Sequence, residues 1–180
     1  MIIVISGPPG SGKSTVAKIL SKNLSLKYIS AGHIFRELAE KEGLSLLELN
    51  KKAEENFEID KKIDREIFRI ASTEKNIIIE SHIGGWLLKD IADITVYLNA
   101  SLETRASRIA KRDNIPFTKA IEQVIEREES HSRRFLVYYG IDLSDLSVFD
   151  LVINTDNLQP EEISKIIEAY LNFILAKNIH

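Results

Sequence analysis

At 180 residues and 20.4 kDa the chain is long enough to bury one substantial core with small insertions. Charged residues make up 28%, apolar ones 44%, and the net charge is -3, the profile of a soluble globular protein without the broad basic field that a nucleic-acid polymer requires. The absence of cysteine excludes disulfides and thiolate chemistry, and four histidines without clustered ligand spacing argue against structural zinc.

The first predicted element is a buried strand over the apolar run Ile2 to Ile5. It is too short to be a signal peptide or a membrane span and has no basic flank ahead of it, so cytoplasmic residence without membrane contact is expected. GPPGSGKST follows, and Val16 to Leu20 resumes an apolar pattern at helical spacing, which places the glycines at a strand-to-helix turn. Gly7, Gly10 and Gly12 permit close backbone approach, and a helix beginning near Lys13 points free amides at an anion in the loop. Pro8 and Pro9 have no amide to give, so the cradle starts near Gly10. Lys13 can reach terminal phosphates, and the Ser14 hydroxyl is placed to ligate magnesium.

Strand-like segments recur as LKYIS at 26–30, NIIIE at 76–80, DITVYLN at 93–99 and FDLVIN at 149–154. Several are apolar without alternation, which suits a parallel sheet covered on both faces. The expectation is an α/β P-loop fold of three layers around a five-stranded parallel sheet, forming a single domain over 1–180. Ligands in such folds bind beyond the carboxyl ends of the strands, a rule that selects the phosphate loop, Ser30 to Gly32, and Glu80 with Ser81. Between Ile34 and the third strand lies a long helical region whose Ile59, Ile63, Ile67 and Ile70 form one apolar stripe. It reads either as a longer crossover with a solvated face or as a subdomain that closes over a second substrate. Pro160, Glu161 and Glu162 read as the first turn of a closing helix. A dinucleotide-binding domain would want G-x-G-x-x-G and an acidic residue ending the second strand, whereas this strand runs into Ser30-Ala31-Gly32 and the first turn carries Lys13-Ser14. A nucleoside triphosphate loop is the better reading.

A GTPase and a small-molecule kinase can share this loop, but no N-K-x-D-like guanine-reading segment is present. Arg105, Arg108 and Arg112 follow the fourth strand at helical spacing, and Arg127, His131 and Arg134 repeat the pattern. Any one of them can be a solvated residue paired with a glutamate such as Glu126, Glu128 or Glu129. As a group they fit phosphoryl transfer to an acceptor phosphate, where planar guanidinium forks on a closing lid offset the charge brought together.

GPPGSGKST, SAGHIFR at 30–36, ESHIGGW at 80–86, RIAKR at 108–112, REESHSRR at 127–134, YYGID at 138–142 and DLVINT at 150–155 together resemble the archaeal-type cytidylate kinases, within the nucleoside monophosphate kinase family. The resemblance spans nearly the whole chain, and SAG-x-I-F-R and Y-Y-G-I-D are its specific parts. It implies ATP- and Mg2+-dependent transfer of the γ-phosphoryl group to CMP or dCMP by a cytoplasmic monomer. An adenylate or broad-specificity monophosphate kinase is the neighbouring alternative. A non-catalytic ATP-binding module is the alternative of another class.

The resemblance also implies site roles. Gly7, Pro8, Pro9, Gly10, Ser11, Gly12, Lys13, Ser14 and Thr15 would form the ATP loop, with Asn154 and Thr155 beside the ATP base and Arg108 at the border of the lid. Ser14 and Glu80 would serve magnesium. Arg36 would grip the acceptor phosphate, with Ser30 and Gly32 shaping the pocket beside it. Lys13, Arg112, Arg127 and Arg134 would act on the transferring phosphates, the 37–70 region would be the helical monophosphate-binding subdomain, and 113–126 a short lid in which Thr118 caps a helix. Asp60, Asp64 and Asp142 could accept from the cytosine amine, pair with arginines or hold helices. His33 and His82 depart from the family pattern; either can be a solvent-facing substitution, the usual reading of a lone histidine, and His82, if it faces the acceptor instead, would supply a weaker and pH-dependent charge. Trp86 is expected to pack near the acceptor pocket rather than to offer a stacking platform.

Overall fold

The computed structural model describes residues 1–177. Strand β1 (Ile2–Ser6) enters the phosphate loop and helix α1 (Lys13–Asn23), then β2 (Lys27–Ser30) leads into α2 (Ala31–Lys41), α3 (Leu46–Glu55) and α4 (Phe57–Thr73). β3 (Ile77–Glu80), the short α5 (Gly84–Leu88) and β4 (Ile94–Asn99) follow. The chain closes through α6 (Leu102–Asp113), α7 (Phe117–Tyr139), β5 (Leu151–Asn154) and α8 (Pro160–Lys177). All pairings are parallel and the order is β2-β3-β1-β4-β5, so the expected five-stranded sheet is present with β1 at its centre.

The two sheet faces are covered by different helices, which is why β1 and β3 are apolar up to their last residues, Ser6 and Glu80. Ile3, Ile5 and Ile78 are buried on the side of α1 and α8. Val4, Ile77 and Ile79 point the other way, against Ile63, Ile67 and Ile70 of α4 and Leu88 of α5. Ile59, the first member of the α4 stripe, packs instead with Ala39, Leu49 and Ala53, so α4 joins the insertion to the sheet. The expected strand ends are met at the carboxyl side, but four strands start one or two residues later than read from sequence. For β4 and β5 the cause is polar: the Asp93 and Asp150 carboxylates accept the Ile2 and Thr95 amides at 2.6 and 2.7 Å, so these residues cap the ladder instead of extending it.

The region after β4 is an αα-hairpin in which Ala106 and Ile109 of α6 interlock with Ala120 and Val124 of α7. Its turn uses Asn114 in the left-handed conformation, and Pro116, not Thr118, occupies the N-cap of α7. Thr118 therefore lies inside the helix, because proline's fixed φ already sets the helix start without a side-chain cap. The 113–126 stretch is thus a tight turn and the first part of one continuous helix of 23 residues.

Candidate nucleotide and phosphoryl-transfer site

Ser6, Ser30, Glu80 and Asn99 end their strands at one edge of the sheet, and the phosphate loop rises from the centre of that edge. Gly7 has φ +144°, and a Cβ there would stand 2.1 Å from the Leu98 carbonyl oxygen; at Gly10, with φ +83°, it would stand 2.7 Å from that of Arg105. Only glycine lets the loop thread between β4 and α6. Its outer wall is fixed by side chains. Buried Arg105 donates to the Ala100 carbonyl at 3.0 Å, reaches Pro9 O at 3.5 Å and pairs with Glu128 of α7 at 2.7 Å. Arg108 donates to the Thr155 hydroxyl and carbonyl at 2.9 and 2.7 Å, and that hydroxyl donates to Ser11 O at 3.1 Å. Among the predicted ATP contacts, Arg108 is thereby placed at the loop's flank, and Asn154 turns its carbonyl oxygen to the Asp156 amide at 2.8 Å. Ser11 offers only backbone, since its hydroxyl is buried against Gly7.

Lys13, in the first turn of α1, donates to Pro8 O at 2.9 Å. Burial in the cleft is the main reason its ammonium is pushed down to about 8; Glu80 opposes this, while Arg127, Arg105 and Arg112 reinforce it. Arg127, whose side chain is exposed at the cleft, is likewise lowered, by partial desolvation first and then by Arg112, with Asp113 opposing. Arg112 is anchored to its neighbour Asp113 at 2.7 Å on the exposed side. Three of the four predicted catalytic cations thus converge on the loop.

Glu80 is held from β2. Ser30 lies opposite it in the ladder and donates to Oε2 at 2.7 Å, while Tyr28, two residues earlier on the same face, donates to that same oxygen at 3.0 Å. Oε1 accepts no hydrogen bond from any described residue. The exposed Ser14 hydroxyl and this free carboxylate oxygen suit Mg2+, which takes few protein oxygens and fills its shell with water and substrate phosphates.

On the acceptor side, Ser30 also caps α2 by accepting the His33 amide at 3.3 Å. Arg36 lies one turn along, with its guanidinium beside Gly32; a Cβ there would stand 3.7 Å from it, in ordinary contact. Asp60 and Asp64 of α4 face α7 instead of standing free: Arg134 pairs with Asp60 at 3.3 Å, both side chains under a tenth exposed, and Tyr139 donates to Asp64. Arg134 is therefore tied to the insertion, beside His131, whose ring feels Arg134, Arg127 and Lys13 together. Asp142 accepts from Ser144 in an exposed turn, and His33 is exposed beside Glu37 at 3.3 Å. His82 packs on His131, ring centroids 4.4 Å apart, and both are held well below their ordinary value by burial first. Burial and the neighbouring cations thus oppose the charged form of His82 that a stand-in for an arginine would need. Trp86 donates to Asp145 O at 2.9 Å and packs edge-on against Phe149, as expected of a packing residue.

Burial raises Asp64 to about 6, with Tyr139's hydrogen bond pulling it back and Asp60 adding to the rise. The folded protein therefore holds this proton more tightly than the unfolded chain, and the stability it contributes is lost as pH rises from the ordinary aspartate range to about 6. Asp64→Asn keeps the acceptor for Tyr139 and removes that dependence. Urea midpoints from pH 4 to 7 are expected to show a steeper decline in wild type than in the variant, by less than about 1.4 kcal/mol per pH unit given partial exposure. Parallel profiles would contradict the assignment.

A glycine-cradled phosphate loop with converging cations at the carboxyl edge of a parallel sheet defines a nucleotide-dependent phosphotransferase of the P-loop class. The cytidylate kinase-like family matches residues 2–157, and the chain belongs to that family. The cytidylate kinase of Sulfurisphaera tokodaii is 96% identical over 180 residues, the whole of both chains. The fold is shared with an uncharacterized protein from Eubacterium ventriosum (TM-score 0.73, 18% identity, 96% and 98% of the two chains covered). It is shared also with the shikimate kinase of Bacteroides thetaiotaomicron (TM-score 0.67, 15% identity, 96% and 98% covered). Among the described residues no helix is long and apolar enough to cross a membrane.

Proposed function

We propose a division of labour among these residues for the ATP-dependent phosphorylation of CMP and dCMP, the reaction that the family and the near-identical relative give this enzyme. An oxygen of the acceptor monophosphate attacks the γ-phosphorus of ATP, the bond from γ-phosphorus to the β,γ-bridging oxygen breaks, and ADP leaves with that oxygen. The acceptor dianion is already nucleophilic, so the protein positions and stabilises charge instead of removing a proton. Lys13 and the loop amides hold the β- and γ-phosphates, Arg127 and Arg112 meet the transferring group, and Arg36 grips the acceptor phosphate. Arg134 joins them on closure, and Asp60 and Asp64 serve the acceptor nucleoside. Ser14 and Glu80 would hold Mg2+, which would supply charge neutralisation on the phosphates. Cytoplasmic, monomeric action completes the proposal.

The observation that carries the reading is the convergence of Lys13, Arg127 and Arg112, each repelling the others, at the mouth of a loop built for an anion. Arg36 separates the acceptor from the donor. Arg36→Ala is expected to raise the KM for CMP on the order of a hundredfold, the loss of a charge-assisted contact, with the KM for ATP unchanged. An unchanged KM for CMP in steady-state assays would contradict the role.

The 37–70 insertion and the 113–126 lid are the parts we assign to closing over the two nucleotides, excluding water from the reaction. Support comes from α7, which holds the insertion through Arg134 and Tyr139 and through Ser130, donating to Glu54 at 2.7 Å. Small-angle scattering with a non-transferable bisubstrate analogue should report compaction beyond that with either nucleotide alone. An equally compact free protein would argue against closure.

A further inference from the structure

Glu80 is aligned by two hydroxyls from the neighbouring strand, and both fall on one oxygen. In parallel pairing Ser30 stands opposite Glu80 and Tyr28 opposite Ile78, so the period-two alternation of β2 turns Tyr28 and Ser30 to the same face as Glu80. That face is the α1 side of the sheet, where Ile78 and Tyr28 pack and where α1 presents Ser14. The Ser30 hydroxyl donates to Oε2 at 2.7 Å and the Tyr28 phenol donates to it at 3.0 Å. Oε2 is thereby occupied twice, while Oε1 receives nothing from the described residues. A carboxylate held by only one donor could swing about its last torsion; held by two on the same oxygen, it presents the other in a fixed direction.

We propose that Tyr28 is a positioning residue for the metal: together with Ser30 it pins Glu80 so that Oε1 remains available to the magnesium shell completed by Ser14. The inference rests on the assignment of Mg2+ to Ser14 and Glu80. Residues that orient a ligating carboxylate without touching the ion set the metal's affinity as ligands do. Ser30 has a second duty that Tyr28 lacks. Its oxygen accepts the His33 amide and so caps α2, the helix that carries Arg36. The acceptor grip and the metal carboxylate therefore share one hydroxyl, and Tyr28 acts on the metal side alone.

The two residues are separable by experiment. Mn2+ binding to the protein–ATP complex, followed by electron paramagnetic resonance, is expected to weaken about tenfold in Tyr28→Phe, with ATP affinity in EDTA and the KM for CMP at saturating Mg2+ unchanged. Ser30→Ala should weaken Mn2+ and also raise the KM for CMP, whereas Ser30→Thr, which keeps a donor, should restore Mn2+ binding; wild-type Mn2+ affinity in Ser30→Ala would show that hydroxyls on Oε2 do not pin Glu80 and would overturn the proposal even if the phenylalanine variant does not fold. Wild-type Mn2+ affinity in folded Tyr28→Phe, with only its melting temperature lowered, would reduce Tyr28 to packing and overturn the proposal. Weakening equal to that of Glu80→Gln would mark complete dependence on the two hydroxyls. Should wild type fail to bind Mn2+ with ATP at all, or bind it with the same affinity as Glu80→Gln, the metal assignment itself fails, a result distinct from an effect confined to Tyr28.

Discussion

Lys13→Ala is expected to lower phosphoryl transfer on the order of a hundred- to a thousandfold, the scale on which removing one preorganised charge from a transition state acts, while the protein stays folded. Its stability should not fall. Folding pushes the Lys13 ammonium down to about 8, so below that pH the folded protein carries a charge it disfavours, and the penalty fades as pH rises from about 8 toward the ordinary lysine value. Alanine removes the penalty, and partial solvent exposure keeps the gain modest. Thermal melts at pH 7 beside steady-state rates separate the effects: a variant equally stable or more so, yet nearly inactive, is the expected pair. A folded variant of near-normal turnover would remove Lys13 from the reaction. The pattern is that of a residue placed for a ligand at some expense to the free protein.

Arg134→Ala should behave in the opposite way and lose about 3 kcal/mol or more of stability, because breaking a buried ion pair leaves an uncompensated charge. Arg134 and Asp60 are each under a tenth exposed. Burial already pushes Asp60 above its ordinary value, and Arg134 is what opposes that rise. The expected order of urea midpoints at pH 7 is wild type first, Asp60→Leu with Arg134→Met close behind, and either single alanine variant last, since apolar side chains of similar volume replace such a pair with little loss. Arg134→Ala with wild-type stability and lost transfer would show that the guanidinium serves the phosphates alone. The pair joins α4 to α7, and its loss should weaken the link between the insertion and the helix behind the lid.

The layers of the fold were legible because the five strand segments are short, apolar and punctuated by turn residues, and because a strand–loop–helix bearing GPPGSGKST has few physical readings. Strand starts were less legible, since Asp93 and Asp150 bond the ladder through their side chains, which periodicity cannot register. Thr118 was misread because a cap-forming residue two places after proline has the right chemistry in the wrong position. The loop residues, Glu80 and Arg36 could be placed from sequence because each follows a strand end. Arg105 could not be told from Arg108: both lie on α6, and only the packing shows that one pairs with Glu128 and the other with Thr155. Tyr28 carried a usable signal, lying two residues before Ser30 on one strand face, but which strand neighbours β2 is a property of topology. Gly85 carried none: a Cβ there would stand 2.0 Å from the ring of Phe149, a residue 64 positions away.

In the proposed reaction the converging cations hold two nucleotides so that phosphate moves from ATP to a cytidine monophosphate. Coupled measurement of ADP release with Mg2+ and ATP, across CMP, dCMP, UMP, AMP and GMP, tests it most directly. The highest kcat/KM is expected with CMP or dCMP. A clear preference for AMP, or no ADP release with any monophosphate, would contradict it.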